Sequence, residues 1–142
     1  MAWKLASSIL AVLAVLALPV RAHHSFVMFD TAKQVTIKGT VTDFQWTNPH
    51  AYIEMDVKDD AGATKHWSVE LGSPSILQQG GWKHNTLKKG MEATLSLNPL
   101  KNGDPGGLLV QATLADGTTL GNGPGRGPAT AGAKGKAKGA AK

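Results

Sequence analysis

The chain contains no cysteine. Thiol catalysis, cysteine-ligated metal and disulfide staples are therefore excluded, and the fold must hold by packing alone. Arginine is nearly as scarce, occurring only as Arg21 and Arg126. Residues 23–120 thus have no guanidinium fork for bidentate recognition of phosphate or carboxylate. Those residues hold eight Lys against ten Asp and Glu, leaving −2. The formal charge of +5 comes instead from the two ends. Lys4 and Arg21 lie in the first 22 residues; Arg126, Lys134, Lys136, Lys138 and Lys142 lie in the last 22, with no acid among them. A mildly acidic body offers no nucleic-acid face, so none is expected as a partner.

Catalytic signatures are missing too. There is no Ser-His-Asp ordering, paired-carboxylate signature, phosphate loop or GxSxG elbow. Gly80-Gly81 and Gly106-Gly107 read as turn glycines, because neither pair sits between a strand and a long helix. With no nucleophile or acid/base pair to assign, an enzymatic reading has no residues to rest on.

One long apolar run is present, Leu5 to Leu18. It is short for a membrane span, follows Lys4, and is broken by Pro19. Val20-Arg21-Ala22 then supplies small residues at the −3 and −1 positions of a signal-peptidase site. Residues 1–22 are expected to be a signal peptide, giving a periplasmic or secreted mature protein that starts at His23 and has no transmembrane span. Residues 121–142 are Gly, Ala, Pro and Lys with little to bury, a composition that predicts a disordered tail. Its lysines suit either anionic lipid and polyanions or simple solubility.

About a hundred residues between these ends suffice for one modest core. The stretch that organises them is Thr36 to Val57. Val35, Ile37, Gly39 and Val41 alternate with Thr36, Lys38, Thr40 and Thr42, the period-2 signal of a half-buried strand. The phase slips near Asp43, where a β-bulge would re-aim Phe44 and Trp46. Asn48-Pro49 makes the connection. A second strand starts at His50, with Ala51, Ile53, Met55 and Val57 on one face and His50, Tyr52, Glu54 and Asp56 on the other.

Lys58 to Ala63 is a polar turn. Thr64 to Leu71 forms a third strand, with Trp67, Val69 and Leu71 opposite His66, Ser68 and Glu70. Ser73-Pro74 opens a short helix with Ile76 and Leu77 as its apolar contacts, and Gly80-Gly81 stops it. Met91 to Leu97 and Leu108 to Leu114 are the fourth and fifth strands, the latter with Leu108, Val110, Ala112 and Leu114 inward. Val27 to Asp30 should lie against the sheet. Three strands, a short helix and two more strands is the element order of an OB-fold, so residues 23–120 are expected to form an all-β, five-stranded OB-fold-like barrel. Its core would be Val41, Ile53, Trp67, Val69, Leu95 and Val110. Trp46, Trp67 and Trp82 read as core or rim residues rather than a base-stacking platform.

His23-His24-Ser25-Phe26, Gly39-Thr40-Val41-Thr42 with Phe44 and Trp46, Asn48-Pro49-His50-Ala51, Trp67 with Val69-Glu70, Gly81-Trp82 and Lys89-Gly90 together resemble a family of small exported bacterial proteins of unknown function. The resemblance runs from His23 to Leu120. It implies a Gram-negative periplasmic setting and a small β-barrel, and it implies no activity.

Two site hypotheses follow from the residues. In the first, the mature N-terminus binds a transition metal, with copper as the cofactor, through His23 and its α-amino group, His24, and His50 as a third side chain. An N-terminal amine and imidazole form a chelate, and copper(II) heads the divalent affinity order with nitrogen ligands. The amine and imidazole, with pKa values of about 7.7–8.0 and 6.5, lose their protons cheaply near neutral pH. The bland alternative makes these histidines exposed polar residues; His84, in a loop, is incidental. In the second hypothesis the barrel is a non-catalytic binding module. OB-folds receive ligands across the second and third strands, where this chain offers Tyr52, Glu54, His66, Ser68 and Glu70. Acids without arginine suit a glycan, a cationic peptide or a protein partner. The competing reading of Glu54 and Glu70 is as solvated surface acids.

Overall fold

The computed structural model of the protein describes residues 27–124; residues 1–26 and 125–142, and with them the expected leader, His23, His24 and most of the Gly/Lys-rich tail, lie outside it. Among the described residues six strands and one short helix follow in order: β1 (Val35–Gln45), β2 (Tyr52–Lys58), β3 (Thr64–Glu70), α1 (Pro74–Gln79), β4 (Glu92–Pro99), β5 (Gly106–Leu114) and β6 (Thr119–Gly121). β1 pairs antiparallel with both β2 and β4. β2 pairs with β3, β4 with β5, and β3 with β5 in parallel. The ring β1-β2-β3-β5-β4 is closed, an OB-fold-like barrel with its helix between β3 and β4, as the order of elements implies. The sequence-based expectation stops at five strands. The sixth, β6, adds three residues to the free edge of β5 after the Asp116-Gly117 turn.

The inward set of β1 and β2 is the one that alternation predicts. Ile37, Val41, Ile53 and Met55 are buried, and the register slips between Val41 and Asp43, so Thr42 is the extra residue of a bulge. Past that point Phe44 turns to the core side, its ring tilted against Trp82 at 5.7 Å and edge-on to Trp46 at 5.6 Å between centroids. Gly39 sits where β1 crosses β2 most tightly. A Cβ there would collide with the Asp56 carbonyl oxygen.

β2 begins at Tyr52 rather than His50, although Ala51 still pairs with the end of β3 through Leu71 N–H→Ala51 O at 2.8 Å. β5 departs from its expected phase. Leu109 is buried while Leu108 and Val110 are only partly so, because Ser96 faces Gln111 but Leu97 faces Leu109. Val110 is the extra residue of a second bulge, and only Ala112 and Leu114 keep their predicted side. Gly106 and Gly107 are not turn residues. They open β5 opposite Ser68 and Val69, and a Cβ on Gly107 would strike the Asn98 carbonyl and the Leu97 side chain.

Trp67 also moves from its expected place, being partly buried against the core rather than inside it. Its role falls to Trp82, 1% exposed, whose indole N–H donates to the Gly121 carbonyl at 2.8 Å. The indole thereby satisfies its one polar atom on burial. α1 starts at Ser73-Pro74 and ends at Gly80 as read, but only Leu77 is buried; Ile76 is 41% exposed. Ahead of β1, Phe29 is buried and bridges Leu100, while Val27 and Met28 remain exposed. No helix among the described residues is long and apolar enough to cross a membrane.

Two substitutions test this packing. Trp82→Ala should cost roughly 3–5 kcal/mol, the range for emptying a buried aromatic site, and Trp67→Ala distinctly less. Gly39→Ala should cost about 1–3 kcal/mol through overpacking. Urea-denaturation midpoints measured side by side check all three; equal shifts for the two tryptophans would contradict the assignment of the core.

Candidate functional site

The outer face of β2 and β3 collects the polar residues that the cores of these strands leave behind. Ile53, Met55 and Val69 point inward, so Tyr52, Glu54 and Asp56 project outward from β2. The antiparallel register sets Tyr52 opposite Glu70, Glu54 opposite Ser68 and Asp56 opposite His66. Direct opposition brings side chains into interaction range. All five residues expected on a ligand face therefore share it.

They form two bonded groups. In one, Glu54 accepts from the Ser68 hydroxyl at 2.8 Å and contacts His66 Nε2 at 3.1 Å, while His66 Nδ1 lies 2.9 Å from Asp56. Both imidazole nitrogens thus face carboxylates. Hydrogen bonding to Asp56 is the main cause that raises the His66 pKa above its ordinary 6.5, with Glu54 adding to it against a desolvation penalty. Only the protonated ring donates from both nitrogens. Asp56 was not among the expected site residues, although its place opposite His66 follows once the two strands are set in register.

In the other group, His50 Nδ1 lies 2.6 Å from Glu70 Oε1. The Tyr52 hydroxyl bonds to the same carboxylate, and the phenol pKa is raised, first by burial and then by the charge of Glu70. Facing a carboxylate, His50 Nδ1 must carry a proton, which leaves Nε2 as the acceptor in the neutral ring. The connection that delivers His50 is tied by Thr47, whose hydroxyl donates to the His50 carbonyl at 3.1 Å. Glu54 and Glu70 are not the solvated acids of the simpler reading. Their side chains are 16% and 12% exposed, and both are hydrogen-bonded.

Beside this second group lies a cleft of about 190 Å³ lined by Met28, Phe29, Tyr52, Ser68, Glu70, Leu100, Pro105, Gly106 and Gly107. The chain ahead of β1 therefore reaches the same face. Alternation within strands gives no sign of this, since Met28 and Pro105 belong to connections. His84 is exposed in the loop after α1 and takes no part. His23 and His24 lie outside the described residues. Among the described residues no three His, Asp or Glu side chains converge as metal donors.

The His66 contacts carry a pH dependence whose sign is fixed. A pKa raised by folding adds stability that is complete below the unfolded value of about 6.5 and is lost as pH rises through the folded value. An NMR titration should put the His66 midpoint above that of a model peptide, and Asp56→Asn should lower it. A His66 midpoint at or below the peptide value would show that the contacts do not persist in solution.

No curated protein and no solved structure matches the chain. A family model does, over residues 10–111, a span that takes in β1 to β4, the His50–Glu70 pair and most of β5. The chain belongs to this family of unknown function, DUF6152.

Proposed function

We propose that the protein is exported to the periplasm, is cleaved between Ala22 and His23, and there binds copper(II) through its N-terminal histidines and His50. The observation that carries this reading is the His50–Glu70 pair. A metal-ligating histidine commonly donates its other ring N–H to a carboxylate, which fixes the tautomer and raises the basicity of the free nitrogen. His50 has that arrangement. Its Nδ1 is held by Glu70, and its side chain is partly exposed.

Chain length adds support. Met28 lines the cleft that Glu70 also lines, and His24 is four residues ahead of it in sequence. Four extended residues reach at most about 14 Å, so His24 stays within that distance of the cleft wall at Met28. Among the described residues the face itself offers only His50 and His66 as imidazole donors, so this reading takes its remaining nitrogen donors from the terminus. Binding or handling of the metal is the role this donor set serves.

A second reading keeps the barrel as a binding module without catalysis, for a glycan, a cationic peptide or a protein partner. It is favoured by the convergence of Tyr52, Glu54, His66, Ser68 and Glu70 on one face. Pull-down from periplasmic extract should then lose its partner with Tyr52→Ala and His66→Ala, and equal recovery would remove this face from consideration.

For the copper reading, protein purified from the periplasm should have the intact mass of a chain beginning at His23. Copper titration followed by EPR should give a nitrogen-rich signal. Replacing His23 and His24 together by Ala should abolish it, and Glu70→Gln should weaken binding about tenfold, as loss of a ligand's supporting partner does. Copper binding unchanged by the double replacement would refute the site.

A further inference from the structure

We propose that the cleft beside Tyr52 is the seat of Phe26, from the chain's own N-terminal segment, and that this docking sets His24 next to His50. The part that concerns His24 rests on the copper reading above; the docking itself does not.

Size is the first argument. The cleft holds about 190 Å³, below the 300–1,000 Å³ of pockets that take small-molecule ligands. At about 30 Å³ per water it equals roughly six waters, room for one ring and little more. Its walls suit a ring. Tyr52, Leu100 and Pro105 supply apolar surface, and Gly106, where a Cβ would meet the Leu100 side chain and the Ser68 carbonyl, adds no side chain of its own.

Position is the second. Of the three large apolar residues exposed on the described surface, Val27 and Met28 are two, at 67% and 51%. Both lie at the start of the described chain, and Met28 is already part of the cleft wall. Lys101 N–H→Met28 O at 2.9 Å and Asp30 N–H→Pro99 O at 2.8 Å anchor the segment there. Phe26 is two residues back from Met28, within about 7 Å along an extended chain. Phe26, Val27 and Met28 then make one apolar strip, which docking would cover.

The tether decides between occupants. A side chain held this close competes at an effective concentration in the millimolar range, which a second copy or a free peptide at lower concentration would have to overcome. Docking also lowers the ordering cost of metal binding, because the donors are brought near His50 before the metal arrives.

NMR on the metal-free mature protein, isotope-labelled at Phe, Tyr and Leu, tests the docking. NOEs are expected from the Phe26 ring to the Leu100 methyls and the Tyr52 ring at every protein concentration. Their absence overturns the proposal. NOEs found only between differently labelled chains in a mixed sample would assign the cleft to a second copy and overturn it as well. Phe26→Ala should then weaken copper binding roughly tenfold, with Phe26→Leu recovering most of it. An unchanged affinity in Phe26→Ala would sever the docking from the metal site. If the unaltered protein binds no copper, the reading of function falls, and with it the placement of His24, while the NOEs still decide the docking.

Discussion

The barrel depends on one strand serving two neighbours. β1 gives its first half to β4 and its second to β2, sharing only Thr40 and Val41 at the changeover. A flat strand has no such choice of partners. β1 must coil, and it does so by two devices within four residues. Gly39 lets the backbone pass against the Asp56 carbonyl with no Cβ between them. Thr42 then adds the residue that shifts the register and steepens the twist. The position of β2 follows from that crossing, and the position of β3 follows from β2. The outer face of Tyr52, Glu54 and Asp56 is therefore set by contacts made on the other side of the sheet.

Much of this was legible in the sequence, and the reasons differ by residue. Alternation from Val35 to Val41 and from Ala51 to Val57 has a clean period, so the buried faces of β1 and β2 were read correctly, and the slip at Asp43 located the first bulge within a residue. The second bulge was hidden. Leu108, Leu109 and Val110 are all apolar, and a run without alternation carries no phase. Trp67 and Trp82 exchanged roles for a related reason. A tryptophan in a strand looks like core by periodicity alone, whereas Trp82 stands in a connection where no period operates. Its burial depends on the Gly121 carbonyl, far along the chain.

The site shows the same division. Which side chains share a face is a matter of parity, and parity is visible in a sequence. Which of them bond is a matter of register between strands, and only the pairing of Tyr52 with Glu70 and of Asp56 with His66 settles that. Glu70 draws together a histidine from the β1–β2 connection and a tyrosine from β2. Each holds a carboxylate that is mostly shielded from water, where leaving the charge without such donors would be costly.

The parallel pairing of β3 with β5 bears on how the molecule forms. Its partners, Ser68 with Gly106 and Glu70 with Leu108, are separated by α1, the loop that carries Trp82, and all of β4. Such non-local closure gives a high contact order, and chains with high contact order fold slowly because loop entropy is lost before the contacts that offset it exist. The barrel cannot close until its last third is in hand. Until β5 arrives, β3 has a partner only in β2, and the backbone donors and acceptors of its other edge stay unpaired.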